Sequence, residues 1–260
     1  KEPVGFVPTM GYLHEGHISL VRQARKESES VVVSIYVNPT QFGSREDLSK
    51  YPRDLKRDLA MLEEVGTDVV FFPSDKEMYP EGYDTWVEVD KLTKRLEGAS
   101  RPTHFRGVTT IVTKLFNIIE ANNAYFGQKD AQQALVIQKM VKDLNRNVRV
   151  VVCPTIREPD GLAMSSRNVY LTPEQRKQAT VLYYSLQLAK QLYSRGERNA
   201  DKIKQQVTAL IQKEPEAIID YISIANPETL GELETIQGKA LVSMVVKFGN
   251  TRLLDNTFLG

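Results

Sequence analysis

The sequence predicts an α/β fold, a parallel sheet with helices on both faces followed by a smaller α+β domain, and two observations predict it. First, short apolar runs at residues 4–8, 31–37, 69–72, 124–126 and 148–152 alternate with helical patterns at 17–29, 53–65, 110–121 and 131–144. Strands buried on both faces read as continuous apolar runs, and strands alternating with helices imply parallel βαβ units. Second, the pattern changes near residue 160. Thr172-Pro173-Glu174-Gln175 is a helix start, with Thr as N-cap and Pro at the first helical position. It leads into one long helix to Ser194, stopped by Gly196, and a second helix over 200–213. Strands at 218–224 and 240–248 complete this part. The expected organisation is a Rossmann-like domain over residues 1–157 and a smaller domain over 158–260, with ligands beyond the carboxyl ends of the parallel strands.

Composition narrows the function classes. Hydrophobic residues make up 41% and charged residues 26% of the 260, an ordinary globular mix. Lys and Arg number 34 against 33 Asp and Glu, a net charge of +1, so no global field favours nucleic acid or an anionic membrane. Any anion site must be local. Apolar stretches such as 240–246 fall short of the roughly 20 residues a membrane span needs. The lone Cys153, in an apolar run, reads as a buried structural thiol and suits a reducing cytoplasm. The sequence opens at Lys1, with the first strand almost at once, so a preceding segment is expected.

Four constellations carry chemistry. Pro8-Thr9-Met10-Gly11-Tyr12-Leu13-His14-Glu15-Gly16-His17 joins the first strand to the first helix. A helix start offers main-chain amides and partial positive charge to phosphate, and histidines three apart can face one way. Zinc is the competing reading, but His-Glu-Gly-His lacks the His-Glu-x-x-His spacing. Neither common glycine-rich nucleotide fingerprint is present. Gly127-Gln128-Lys129-Asp130-Ala131-Gln132-Gln133 sits at a second strand-to-helix junction, where Lys129 can offset phosphoryl charge and Gln133 can face the same space. Asp160-Gly161-Leu162-Ala163-Met164-Ser165-Ser166-Arg167-Asn168 sets two hydroxyls beside a guanidinium, a good anion grip. Asn38-Pro39-Thr40-Gln41-Phe42 follows the second strand, and its amides suit a small hydroxylated acid. Arg101 and His104, in Arg101-Pro102-Thr103-His104-Phe105-Arg106-Gly107, are candidates to meet a carboxylate. Each stretch alone reads as well as a turn or a polar linker. Three of them at one predicted sheet edge outweigh that.

These residues resemble a known family. His14-x-Gly16-His17 and Met164-Ser165-Ser166-Arg167 are similar to the paired signatures of the nucleotidyltransferase superfamily. The fuller wording resembles the pantothenate synthetases, through the four stretches above, Arg-Pro-Thr-His-Phe and the terminal Thr251-Arg252-Leu253-Leu254-Asp255-Asn256. The resemblance runs from the first strand nearly to the end, and departs in the family's additional N-terminal helix. It implies an ATP-dependent ligase that joins pantoate to β-alanine through an acyl adenylate, with Mg²⁺, as a homodimer. It carries ATP binding onto Met10, Gly11, Tyr12, Leu13, His14, Glu15, Gly16, His17, Gly127, Gln128, Lys129, Asp130, Ile156, Met164, Ser165, Ser166 and Arg167. It carries pantoate onto Gln41 and Gln133, with Asn38 beside them, and β-alanine near Gln41. His14, His17, Lys129 and Arg167 are the expected catalytic set, with His17 as proton donor; the sequence does not identify the residue that holds Mg²⁺.

Three rival classes remain at this stage. A nucleotidyltransferase would release an adenylated product, and the two glutamines argue against it. An RNA-binding or tRNA-charging protein would want a basic face. A non-catalytic ATP-binding module would not require the His14, His17, Lys129 and Arg167 set.

Overall fold

The structure is a computed structural model and describes residues 3–44 and 46–260. It divides into two compact units, the first ending at Pro154 and the second beginning at Thr155.

The first unit is built on five parallel strands, β1 (Val4–Thr9), β2 (Ser30–Ile35), β3 (Val69–Phe71), β4 (Asn123–Gly127) and β5 (Arg149–Cys153), in the order β3-β2-β1-β4-β5. Each matches an expected strand to within two residues at either end. The helices are α1 (Glu15–Glu27), α2 (Leu55–Glu64), the single turns α3 (Asp75–Met78) and α4 (Glu97–Ser100), α5 (His104–Ile119) and α6 (Ala131–Asp143). The alternation of side chains along each strand feeds two cores. Val7, Val31, Val33, Ile35 and Tyr125 pack with Ile18, Val21, Ala24 and Leu62 of α1 and α2. On neighbouring positions Phe6 and Phe126 meet Phe116 of α5 edge-to-face, at 6.4 and 6.5 Å between ring centroids. Helix α5 starts six residues before the expected 110. Its first turn carries Arg106 and Gly107, which the apolar period does not reveal.

The order places the switch point between β1 and β4, since β2 and β3 extend one way from β1 and β4 and β5 the other. In such sheets the crevice beyond the strand ends at the switch is where ligands bind.

In the second unit the expected single helix is two, α7 (Pro173–Gln178) and α8 (Val181–Ser194). Ala179 (φ −59°, ψ −21°) and Thr180 (φ −60°, ψ −19°) adopt 3₁₀ dihedrals between them. The Thr180 hydroxyl donates to the Lys177 carbonyl at 2.8 Å, a local bond that competes with the α-helical ladder. Helix α9 (Ala200–Ile211) follows. Strands β6 (Ala217–Ala225), β7 (Ala240–Phe248) and β8 (Thr251–Leu259) form an antiparallel sheet in that order. Strand β8 is not among the expected strands. It is reached through the two-residue turn Gly249-Asn250, a hairpin signal. Leu182, Leu186 and Ala189 of α8 and Ile203, Val207 and Ile211 of α9 cover Val242, Met244 and Val246 of β7, closing a second apolar core.

Candidate active site

At the end of β1 the chain turns through Met10, Gly11, Tyr12 and Leu13 into α1. Gly11 (φ +82°) and Tyr12 (φ +49°) are both left-handed. Such geometry turns successive amides toward one point and attracts an anion. Here the chain supplies that anion. Asp58, buried in α2, accepts from the Tyr12 amide through Oδ2 and from the Leu13 amide through Oδ1, both at 2.7 Å. Gly11 is required for space as well as conformation, because a Cβ there would lie 2.9 Å from Ile35 Cγ2 and 3.1 Å from Asp58 Oδ2.

The histidines cap the helix that follows. His14 is the N-cap of α1; its Nδ1 accepts from the Gly16 amide at 3.1 Å, and the Nδ1 of His17 accepts from the His14 amide at 3.3 Å. This is a reciprocal capping box made from two imidazoles, with ring centroids 4.1 Å apart. A nitrogen that accepts carries no proton, so the proton of each neutral ring sits at Nε2. Burial lowers the pKa of His17 well below 6.5, and the neighbouring His14 and Lys129 disfavour its charged form further, so the ring is neutral at pH 7. One expectation is corrected here. The amides of Gly11, Tyr12, Leu13, His14 and Gly16, which from sequence were available to phosphate, all donate within the chain. An approaching anion meets the Nε2–H of His17 and the positive end of the helix.

Lys129 lies in a 3₁₀ turn, Gln128–Asp130, between β4 and α6. Its charge helps to lower the pKa of His17, and its Nζ is 3.6 Å from Asp130 Oδ1. The two glutamines that follow divide their tasks. Gln132 is buried and donates to the carbonyls of Leu92 (2.9 Å) and Arg95 (2.7 Å), while its Oε1 accepts from the Glu97 amide at 3.0 Å. Gln133, one position on, is half-buried.

Past β2, Asn38 caps the 3₁₀ turn Pro39–Gln41. Its Nδ2 donates to the Gly107 carbonyl and to Gln41 Oε1, each at 3.1 Å, and its Oδ1 accepts from the Tyr79 hydroxyl at 2.9 Å and the Thr40 hydroxyl at 3.0 Å. The Gly107 carbonyl can only accept, which fixes the orientation of the Asn38 amide. Gln41 must then offer Oε1 to Asn38, which points its Nε2 at Met10 Sδ, 3.2 Å away in the turn after β1. Gly107 allows α5 to lie against this turn, since a Cβ would stand 2.5 Å from the Thr40 carbonyl oxygen and 2.6 Å from the Gln41 nitrogen. Arg101 and His104 brace the same turn. Arg101 pairs with Glu46 and donates to the Gln41 carbonyl at 3.3 Å; His104 Nδ1 donates to that carbonyl at 2.9 Å. Burial, then the Arg101 charge, lower the His104 pKa to about 4, so it stays neutral. Among these residues the sequence did not reveal Asp58 or Tyr79, whose partners lie dozens of positions away.

The second unit carries the other stretch. Arg157 and Ala163 bridge in antiparallel fashion, and the Met164 amide donates to the Ile156 carbonyl at 3.0 Å, so Ile156 and Met164 face each other across a small loop. Arg157 donates to Asp255 through both terminal nitrogens (2.6 and 3.0 Å) and to the Gly161 carbonyl at 3.0 Å. Arg176 of α7 spans Glu158 and Asp160, and Asn168 donates to Glu158 at 2.9 Å and to the Ala163 carbonyl at 3.1 Å. On this frame Ser165 caps the 3₁₀ turn Ser166–Tyr170 by accepting from the Arg167 amide at 3.2 Å. The terminal Thr-Arg-Leu-Leu-Asp-Asn stretch thereby holds the Ser-Ser-Arg loop through Asp255.

No group of three or more His, Cys, Asp or Glu side chains able to hold a metal occurs among the described residues.

A family model described as pantoate-β-alanine ligase matches residues 1–258. A pantothenate synthetase of Acetivibrio thermocellus is 59% identical over 256 residues, 98% of this chain and 91% of that protein. One of Thermotoga petrophila is 57% identical over 260 residues, 100% of this chain and 93% of that protein. Among solved structures, pantothenate synthetase from Thermus thermophilus matches with a TM-score of 0.96 at 49% identity, covering 98% of this chain and 93% of that one. The pantoate-β-alanine ligase of Francisella tularensis, described as complexed with beta-gamma ATP and β-alanine, matches with a TM-score of 0.81 at 37% identity, covering 98% and 89%.

Proposed function

The chain belongs to the pantoate-β-alanine ligase family, and from that premise we propose how its residues divide the reaction between them. The enzyme is a ligase that condenses pantoate with β-alanine to pantothenate through pantoyl adenylate, releasing pyrophosphate and then AMP. ATP is its nucleotide substrate, taken as the Mg²⁺ complex.

In the first step the pantoate carboxylate attacks the α-phosphorus and pyrophosphate leaves. A carboxylic acid with a pKa near 4 arrives ionised, so no general base is needed. The difficulty is an anion meeting a polyanion. Lys129 and Arg167 supply charge, and the neutral His17 donates through Nε2–H; phosphate at that nitrogen would draw its pKa back up and let it act as proton donor. His14 stands beside it with the same tautomer. Met10, Gly11, Tyr12, Leu13, Glu15 and Gly16 bind the nucleotide with Gly127, Gln128 and Asp130, and Ile156, Met164, Ser165 and Ser166 of the smaller domain bind it as well. The Gln41 Nε2 and Gln133 hold pantoate. Asn38, fully bonded inside the chain, serves pantoate by orienting Gln41. In the second step the amine of β-alanine, held near Gln41, attacks the mixed anhydride. Proximity supplies most of that acceleration, because AMP is a good leaving group. We extend the proposal to a homodimer working in the cytoplasm, without nucleic-acid or membrane partners; sedimentation velocity checks the dimer. Among the described residues no helix is long and apolar enough to cross a membrane.

What supports this reading is a neutral Nε2–H histidine in the turn after β1, toward which Gln41 Nε2 points through Met10, together with Lys129 in the turn after the neighbouring strand β4. Its test is product analysis with Mg²⁺-ATP and pantoate, with and without β-alanine. Pantothenate and AMP in equal amounts, only when β-alanine is present, are expected. ADP in place of AMP, or a stable adenylated product with β-alanine present, would contradict it.

A further inference from the structure

We propose that Asp58 is the positioning residue of the nucleotide turn, holding the backbone between β1 and α1 in the one shape that presents both histidines. The inference rests on the reading of that turn as the ATP site.

The carboxylate is 1% exposed and turned inward, and each oxygen accepts a separate main-chain amide, Tyr12 on Oδ2 and Leu13 on Oδ1, at 2.7 Å. Tyr12 carries a side chain in the left-handed region, a conformation that persists only where the surroundings determine it. Those surroundings are Asp58 and the close contact of Gly11 with Ile35. Arg57 adds a second tie, with its guanidinium 3.8 Å from Asp58 Oδ1 and 5.2 Å over the Tyr12 ring. Leu13 is followed directly by His14, the N-cap whose amide binds the His17 ring. The chain of fixed groups is thus Asp58, the Leu13 amide, His14 and His17. Successive main-chain amides that converge in a turn make an anion nest, and filling it with a carboxylate of the protein denies it to phosphate. Phosphate is left to the imidazole N–H donors. Asp58 touches neither substrate nor reacting atoms and acts only through the turn.

The test is Asp58→Asn, which keeps the size but replaces one acceptor by an NH₂ that must face a main-chain N–H. With wild-type turnover established first, KM for ATP is expected to rise about ten-fold, as loss of one charge-assisted hydrogen bond implies. KM for β-alanine should stay within about two-fold, and the ¹⁵N signals of His17 should shift from the neutral Nε2–H form. Unchanged KM for ATP and unchanged His17 signals, with only a lower Tm, would overturn the positioning role. Absence of wild-type turnover would instead overturn the reading beneath it. Amide exchange on the wild type tests the nest independently of the variant's folding. The Tyr12 and Leu13 amides should be protected without ligand and gain nothing from ATP; fast exchange that ATP suppresses would show that phosphate, and not Asp58, fills the nest.

Discussion

The two loops that carry the family's signatures are both held by an acid far away in sequence, yet by different physics. In the turn after β1, Asp58 binds main-chain amides, and the two imidazoles accept from the helix-start amides of Gly16 and His14, with His17 neutral. In the Ser-Ser-Arg loop the frame is ionic: Arg157 with Asp255, and Arg176 with Glu158 and Asp160. Both loops need a left-handed glycine, Gly11 at φ +82° and Gly161 at φ +94°. The difference teaches that a neutral donor set can be placed by hydrogen bonds alone. The loop that carries Arg167 is framed instead by charges that offset one another.

The comparison breaks most visibly at Arg157. Arg157→Met strands the buried Asp255 without its partner, and should destabilise the second unit by about 3–5 kcal/mol. Calorimetry or denaturant unfolding reads the loss, and the Arg157→Met, Asp255→Leu double variant should recover most of it. Next comes Lys129→Met, expected to slow adenylate formation about 10²–10³-fold, roughly 3–4 kcal/mol, with little change in Tm. Rapid-quench measurement of pyrophosphate release checks it. Gly161→Ala should cost more than the 1–3 kcal/mol of left-handed strain alone. A Cβ there would meet the Tyr183 ring at 2.2 Å, and unfolding midpoints of the variant test it.

Acid separates the two regions by direction. His104, held to about 4 by burial and the Arg101 charge, and His17, also lowered, refuse protons that the unfolded chain accepts near 6.5. The unfolded state then binds more protons, so the first unit should lose stability as pH falls from 6.5 toward 4 and be unaffected above that. Asp160, held below its usual range by the hydrogen bond from Arg176, keeps its contribution until pH drops through the carboxylate range. Hydrogen exchange resolved by unit, across pH 4–7, should show the first unit loosening before the second. The smallest effect expected is at Tyr79→Phe. Loss of its bond to Asn38 should cost about 1 kcal/mol, seen as a roughly five-fold higher KM for pantoate with kcat nearly unchanged.

Much of this was legible in the chain. The strands announced themselves because they are buried on both faces, and the signature stretches fell where the alternation ended, which is where a parallel sheet places its ligands. What stayed hidden is pairing across distance. Nothing local marks Asp58 as the acceptor for amides 46 and 45 positions back, or Asp255 as the partner of a residue 98 positions earlier. The break at Thr180 was hidden because the apolar period continues through it. The helix-start amides looked available because their acceptors are imidazoles, a capping chemistry that hydroxyl and carboxylate rules do not suggest. The hydrogen bonds of Asn38, which fix the amide of Gln41, were hidden because a buried amide and a binding amide look alike in sequence.

The central claim is that the carboxylate of pantoate is activated at the α-phosphorus, beside His17 and Lys129. It is tested most directly with pantoate labelled with ¹⁸O in the carboxyl group, turned over with Mg²⁺-ATP and β-alanine. Attack at the α-phosphorus carries one labelled oxygen into AMP and leaves the other in the new amide, with pyrophosphate unlabelled. Label in inorganic phosphate or pyrophosphate, with AMP unlabelled, would contradict the account.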